Sequence, residues 1–163
     1  MKKLTILTII FLIIFFAAIA LATIFYSQPH NTTPDSLSST IAARVILDNQ
    51  EFNLEIAQTF KEKQQGLMYR NSLPRNQGML FLYNYESPKS FWMKNTLIPL
   101  DLIFLNSSNY IVDIKENFQP CARNPCETYS SEPAQNIIEI NAGLSNELGL
   151  EIGDVISLNY NNS

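Results

Sequence analysis

Residues 91–101 read FWMKNTLIPLD and combine a bulky apolar cluster with a lysine, an amide and an aspartate. If this run begins as a strand, Phe91 and Met93 lie on one face and Trp92 lies on the other, because side chains alternate along a strand. Pro99 holds the residue before it in an extended conformation and favours a change of chain direction nearby. The stretch is too polar for a plain core strand, so we expect part of a site here. In the competing interpretation, both faces are buried in a sheet wall.

Short strand patterns surround this stretch on both sides. Residues 41–47 and 52–56 alternate apolar and polar side chains around a turn at 48–50, which predicts a β-hairpin. Asn and Ser at 106–109 mark a second hairpin turn, and residues 116–133 form one long loop. Further strands are predicted over residues 78–83, 90–93, 100–105, 110–114, 136–140 and 155–160.

Helical signals are few. Thr59 and Glu62 have the spacing of a capping box, which predicts a short helix to about Leu67 with Phe60 and Leu67 on its buried side. Residues 145–148 predict a helical turn. Many short strands at regular spacing, without a βαβ rhythm, favour a mainly β fold. We therefore expect a compact closed β-barrel or a β-sandwich with one or two short helices.

The N-terminal segment has the pattern of an export or anchoring signal. Residues 4–26 form an uncharged apolar run, long enough as a helix to span about 30 Å of hydrocarbon. This run predicts a transmembrane signal anchor. A cleaved signal peptide, with an Ala-x-Ala site at residues 20–22, and a buried core helix are the alternatives. Lys2 and Lys3 precede the run, so the positive-inside rule sends the remainder of the chain across the membrane.

The predicted organisation is a cytoplasmic stub, a single membrane helix, a tether and one domain. Residues 27–40 are rich in Ser, Thr, Pro and Asn, a composition typical of a flexible linker. We expect the domain in the periplasm or at the cell exterior, and secreted if the signal is cleaved. The predicted boundaries are 1–3, 4–26, 27–40 and 41–163.

Composition excludes several functions. The net charge is −4, and without Lys2 and Lys3 the chain has 9 basic and 15 acidic residues. This balance argues against nucleic acid as a partner, because such binding needs a basic face. The only histidine, His30, lies in the tether, which excludes Ser-His-Asp and Cys-His catalysis in the domain and most zinc chemistry there. We expect no metal and no cofactor.

Cys121 and Cys126 lie five positions apart in the long loop. In an oxidising compartment, a close pair in a Pro-rich loop predicts a disulfide. A thioredoxin-type redox pair has two intervening residues, whereas this pair has four.

Six motifs, spread over nearly the whole domain, resemble the DUF192 family. The motifs are GLMYR at 66–70, GMLF at 78–81, FWMKNT at 91–96, IPLD at 98–101 with Phe104, EINAG at 139–143, and Gly149 with Gly153-Asp154. The resemblance implies a compact β-barrel-like or jelly-roll-like domain, often behind an export signal. It implies no particular biochemical activity.

The candidate ligand-binding residues are Arg70, Trp92, Lys94, Asn95 and Asp101. In the functional interpretation, Lys94 is an anion-binding donor, Asn95 orients the ligand and Trp92 forms a wall. A turn after Asn95 is expected to bring Asp101 to the same rim. In the structural interpretation, Asp101 caps backbone N–H groups or pairs with Arg70. The Arg70 guanidinium favours a carboxylate partner, which is either Asp101 or Glu139 within the chain or a carboxylate of the ligand.

Three functional hypotheses follow from these residues. The first is a domain that binds a small ligand or a protein partner in a polar pocket. The second is an enzyme without histidine, in which Lys94 and Asp101 act as acid and base. The third is a purely structural or interaction module. Glu139 either faces solvent or enters a partly buried polar cluster. Core filling is favoured over Cu(I) binding for Met68, Met79 and Met93.

Overall fold

The computed structural model describes residues 43–160, which form a mainly β domain with two short helices. The predicted stub, membrane helix and tether lie outside these residues. Within residues 43–160, no helix is both long and apolar enough to cross a bilayer. The elements are β1 (Ala43–Leu47), β2 (Gln50–Ala57), α1 (Phe60–Gln65), β3 (Gln77–Ser87), β4 (Ser90–Trp92), β5 (Leu100–Leu105), β6 (Ile111–Phe118), β7 (Thr128–Ser130), β8 (Ala134–Asn141), α2 (Leu144–Glu147) and β9 (Ser157–Tyr160).

Seven strands form one sheet in the order β6-β5-β8-β3-β2-β1-β9, and β4 pairs with β7 in a separate two-stranded sheet. Strands β2 and β3 are parallel, whereas the other paired strands are antiparallel. The β2–β3 connection passes through α1, so the chain does contain one βαβ crossover. The sequence pattern missed it because a six-residue helix is too short to show a helical period.

The prediction of a closed barrel is wrong. In the described part of the chain, the edge strands β6 and β9 form no ladder with each other. The two edges meet at an isolated bridge between Tyr110 and Val155, and the Ile111 N–H donates to the Asp154 carbonyl at 2.8 Å. Strand β9 is itself paired with β1, so only the loop before it reaches β6.

The central strands bury both of their faces. All six residues of β5 are buried, and they alternate between two apolar cores. Ile103 and Leu105 belong to the core that is shared with β1 and α2. Leu102 and Phe104 belong to the opposite core, which β4 covers. Phe91 stacks edge-to-face on Phe104, with 5.7 Å between the ring centroids, which fixes β4 on the sheet.

Several local predictions are confirmed. Asp48 and Asn49 have positive φ, as the predicted β1–β2 hairpin turn requires. The capping box forms, because the Thr59 side chain accepts from the Glu62 N–H and the Glu62 side chain accepts from the Thr59 N–H. The Phe60 prediction is wrong, since its side chain is 82% exposed. The helix ends before Leu67, so Leu67 packs into the core from the following turn.

Candidate functional site

A cleft lies between α1 and β4. Its inner pocket has a volume of about 280 Å³, and its outer groove has a volume of about 450 Å³. The two parts share four lining residues, Gln64, Gln65, Met68 and Trp92, so we treat them as one cleft. The inner pocket is also lined by Phe60, Lys63, Gly66, Phe81, Tyr83 and Glu139. The outer groove is also lined by Lys61, Tyr69, Lys94 and Asn95.

Gly66 ends α1 directly above the floor of the inner pocket. Its φ of +48° is a conformation that side chains disfavour. A Cβ atom placed there would lie 3.4 Å from the Phe81 ring and 3.9 Å from the Glu139 Oε2 atom. Glycine at this position therefore supplies the turn and leaves space above the Glu139 carboxyl group.

Strand β4 forms the other wall. The predicted alternation is confirmed, since Phe91 and Met93 are buried and Trp92 is 44% exposed. The competing interpretation, with both faces buried, is excluded by that exposure. After β4, the Asn95 N–H donates to the Cys121 carbonyl at 3.2 Å, and the Cys121 N–H donates to the Met93 carbonyl at 3.0 Å. The segment that carries the predicted site is thus held by the cysteine loop.

The predicted disulfide between Cys121 and Cys126 is present, with a Cα–Cα distance of 5.7 Å. The bridge fixes the loop that pairs with residues 93–95. Its position beside the cleft was not predictable from the cysteine spacing.

Asn95 joins the two sides of the outer groove. Its backbone carbonyl accepts from the Tyr69 N–H at 2.9 Å, and its side-chain amide donates to the Tyr69 hydroxyl at 2.8 Å. Both residues have positive φ, which is uncommon for residues other than glycine. The amide predicted to orient a ligand is therefore itself held in one orientation.

Lysine side chains lie over aromatic rings around the cleft. The Lys94 Nζ atom is 5.2 Å from the centre of the Trp92 ring, and the Lys63 Nζ atom is 4.2 Å from the centre of the Tyr83 ring. Both distances are within the range of a cation–π contact. Burial lowers the pKa of Lys63. Among residues 43–160, Lys61, Lys63 and Lys94 have no carboxylate partner within 4 Å.

Glu139 forms the floor of the inner pocket. Its side chain is buried, and its Oε2 atom has no hydrogen-bond partner among the described residues. Burial raises the pKa of Glu139 to about 8, although the nearby positive charge of Arg70 opposes the increase. The carboxyl group is therefore mainly protonated at neutral pH and offers an O–H donor.

Sequence reasoning left the position of Glu139 open and did not place it in the candidate site. The signal was a single carboxyl residue within the apolar run IIEI at 137–140. Strand β8 is central in the sheet, so alternation does not bring either of its faces to open solvent. Ile137 and Glu139 share the face that looks toward β4 and the cleft, whereas Ile138 and Ile140 face the other core.

Arg70 has an internal partner that the sequence did not indicate. Its Nη1 and Nη2 atoms donate to the Glu55 carboxylate at 2.5 and 2.6 Å. The predicted alternatives were Asp101 and Glu139. Arg70 lines neither part of the cleft, and it reaches the cleft only through its charge near Glu139.

The expectation that Asp101 joins Lys94 and Asn95 at one rim is corrected by the structure. Asp101 is fully buried on β5, where its carboxylate accepts from the Asn117 N–H at 2.8 Å. It also accepts from the Ser145 N–H at 2.9 Å and the Ser145 hydroxyl at 2.6 Å. Asp101 is a backbone cap inside the fold, so the predicted acid–base pair with Lys94 is not formed.

The methionines do not converge on one point. Met79 and Met93 are buried in the core under β4, whereas Met68 lines the cleft. In the described part of the chain, no three His, Cys, Asp or Glu side chains are grouped as metal ligands.

The geometry defines a mainly β domain with one seven-stranded sheet and one two-stranded sheet, and with a cleft between its crossover helix and the smaller sheet. The DUF192 family model, described as “Uncharacterized ACR”, matches residues 43–158. The chain belongs to this family.

Two solved structures resemble the chain. One is described as a “putative transcription regulator” from Sinorhizobium meliloti, with 34% identity, a TM-score of 0.64, and coverage of 71% of this chain and 90% of the other. The second is a protein of unknown function from Novosphingobium aromaticivorans, with 34% identity, a TM-score of 0.64, and coverage of 71% and 83%. No curated protein matches the chain.

Proposed function

We propose that this chain is a membrane-tethered, extracytoplasmic domain that binds a small ligand in the cleft between α1 and β4. The tether rests on the apolar run at 4–26 behind Lys2 and Lys3. The Cys121–Cys126 bridge supports the same placement, because disulfides persist in oxidising compartments.

The observation that carries the binding function is that Glu139 lines the cleft floor while its buried Oε2 atom has no hydrogen-bond partner among residues 43–160. Leaving a buried polar group without a partner costs about 1–3 kcal/mol. Such a group needs an explanation, and a binding site is one place where the partner comes from a ligand. The surrounding wall supplies an exposed ring in Trp92, a cation in Lys94 and an oriented amide in Asn95.

Binding is testable because Trp92 is the only tryptophan in the chain. Its fluorescence therefore reports on the cleft alone. We would place the full chain in micelles of a neutral detergent, which contain no tryptophan, and titrate small anionic, cationic and neutral polar compounds. A saturable change in emission with at least one class is expected. No response from any class would contradict the proposed function.

The substitution Glu139→Leu tests whether the Glu139 carboxyl group binds a ligand or stabilises the fold. The substitution removes a buried carboxyl group whose Oε2 atom has no hydrogen-bond partner among residues 43–160, so the free protein should keep or gain stability, while ligand binding should fall at least tenfold. Unchanged affinity would show that Glu139 does not serve a ligand. Arg44→Gln is the matched control, because Arg44 lies on β1 and lines neither part of the cleft.

Capture of a protein segment is a second candidate. Phe60 is 82% exposed and Tyr69 is 66% exposed, and both line the cleft. Exposed aromatic side chains favour protein interfaces. Phe60→Ser should abolish capture of a segment yet change small-ligand affinity less than Trp92→Phe does.

A further inference from the structure

We infer that the cleft binds a saccharide that carries a carboxylate. This inference rests on the proposed function and assigns a chemical class to its ligand. The sugar ring stacks on Trp92, its carboxylate faces Lys61 and Lys94 in the outer groove, and a hydroxyl group of the sugar contacts Glu139 in the inner pocket.

Charge indicates the anionic group. The whole chain has a net charge of −4, yet Lys61, Lys63 and Lys94 line one cleft without a carboxylate partner among residues 43–160. Basic residues elsewhere in the domain, such as Arg44 and Arg75, do form ion pairs. Unpaired ammonium groups concentrated at one concave site in an acidic protein favour an anionic ligand.

The lining indicates a ring with many hydroxyl groups. Trp92 is 44% exposed, and the C–H face of a sugar packs on an indole ring as an apolar surface. Around it, Gln64, Gln65, Ser90 and Thr96 supply neutral amides and hydroxyls. These groups both donate and accept hydrogen bonds, which matches sugar hydroxyls better than it matches an apolar ring.

The floor supplies one further contact. Glu139 lines the inner pocket, and its buried Oε2 atom has no hydrogen-bond partner among residues 43–160. In the inferred complex, a hydroxyl oxygen of the ligand accepts a hydrogen bond from the protonated carboxyl group. The carboxylate of the ligand belongs at the opposite end, beside Lys61 and Lys94, because two carboxyl groups in contact repel once both ionise.

A nucleotide is the alternative ligand class, because it also combines a ring with a negatively charged group. Phosphate sites commonly use a glycine-rich loop or the N-terminal end of a helix. Here α1 lines the cleft along its whole length, from Phe60 to Gln65, and the lining contains a single glycine, Gly66. The carboxylate-bearing sugar therefore fits the cleft better, and a nucleotide becomes an outcome of the test.

The test uses the full chain in micelles of a neutral detergent and follows Trp92 fluorescence and binding heat. The probes are glucuronic acid and its short oligosaccharides, glucose, adenosine monophosphate and acetate. We expect saturable binding of the uronate, at least tenfold weaker binding of glucose and no saturation with acetate. Lys94→Gln should weaken uronate binding about tenfold, whereas Arg44→Gln should leave it unchanged. Glu139→Gln, which keeps a donor, should bind better than Glu139→Leu.

The outcomes separate the two proposals. Equal binding of glucose and the uronate would overturn the anionic assignment, and tighter binding of adenosine monophosphate would overturn the saccharide. Either result would leave a ligand site in the cleft. Uronate affinity that is insensitive to both Lys94→Gln and Glu139→Leu would place the saccharide elsewhere. No change in fluorescence or binding heat with any of these probes would overturn the saccharide assignment. No change with the anionic, cationic and neutral polar compounds of the first experiment would overturn the ligand site itself.

Discussion

Asp101 and Glu139 are buried carboxyl residues on the neighbouring strands β5 and β8, yet their surroundings differ. Asp101 accepts three hydrogen bonds from Asn117 and Ser145. Glu139 lines the inner pocket, and its Oε2 atom has no hydrogen-bond partner in the described part of the chain. Burial alone therefore does not identify a carboxyl group as part of a binding site. Its donors decide whether it stabilises the fold or remains available to a ligand.

The comparison also separates two regions of the domain. Around Asp101, α2 and the end of β6 supply donors from the protein itself. Around Glu139, the end of α1 turns away at Gly66 and leaves an opening. The first region is closed by internal hydrogen bonds, whereas the second borders the cleft.

The largest effect is expected from Asp101→Ala. Removing the carboxylate leaves two backbone N–H groups and the Ser145 hydroxyl without an acceptor. Because hydrogen bonds to charged groups contribute about 1.5–3 kcal/mol each, we expect a loss of at least about 3 kcal/mol in the free energy of unfolding. Urea denaturation of residues 41–163 measures it. Glu139→Leu is the matched control, and an equal loss in both variants would remove the distinction between the two carboxyl groups.

Reduction of the Cys121–Cys126 bridge is expected to have the next largest effect. The closed loop is short, so chain entropy predicts a loss of about 2 kcal/mol in the free energy of unfolding. Hydrogen exchange should accelerate at the amides of Asn95 and Cys121, which hold the cleft wall. The Cys121→Ser, Cys126→Ser double variant should not respond to reductant. A uniform increase in hydrogen exchange over the domain would show that the disulfide does not stabilise the cleft wall in particular.

The pKa of Glu139, raised by burial from 4.5 to about 8, makes folding depend on pH. The folded state binds this proton more tightly than the unfolded state does. The contribution of the proton to the free energy of unfolding is therefore complete at pH values below 4.5, the pKa in the unfolded state, and is lost as the pH rises through about 8. Within that window the free energy of unfolding should fall by at most about 1.4 kcal/mol per pH unit. Urea denaturation of wild type and Glu139→Gln at several pH values gives the dependence of the free energy of unfolding on pH for each protein. The same pH dependence in both proteins would contradict the raised pKa of Glu139.

The smallest effect on stability is expected from Trp92→Ala. The side chain is 44% exposed and lies outside the buried cores, so the free energy of unfolding should change by about 0.5 kcal/mol or less. Ligand affinity should nevertheless fall at least tenfold by calorimetry. Tyr110→Ala, at a comparably exposed ring away from the cleft, is the control. A large decrease in the free energy of unfolding of Trp92→Ala would indicate that Trp92 stabilises the fold.

Much of the local structure was predictable. The hairpin turn at Asp48 and Asn49, the capping box at Thr59, and the side-chain alternation of β4 follow from residue types at short spacing. The crossover through α1 was not predictable, because six helical residues carry too little periodic signal. Barrel closure was predicted wrongly, since strand count does not specify which edges pair.

Of the candidate site, the structure places Trp92, Lys94 and Asn95 together along one wall. Arg70 and Asp101 were expected beside them, but Glu55 and Ser145 engage their side chains instead. Ser145 lies 44 positions from Asp101 along the chain, so no local pattern indicates the pairing.

The sequence by itself determined a mainly β domain of the DUF192 family, its turns and caps, and its disulfide, because these depend on residue types that lie close together along the chain. Only the tertiary structure decided that Asp101 is a cap and Glu139 is the floor of a cleft. The physical reason is that the state of a buried carboxyl group depends on donors and space, and the fold brings these from distant segments: Ser145 to Asp101, and Gly66 to Glu139.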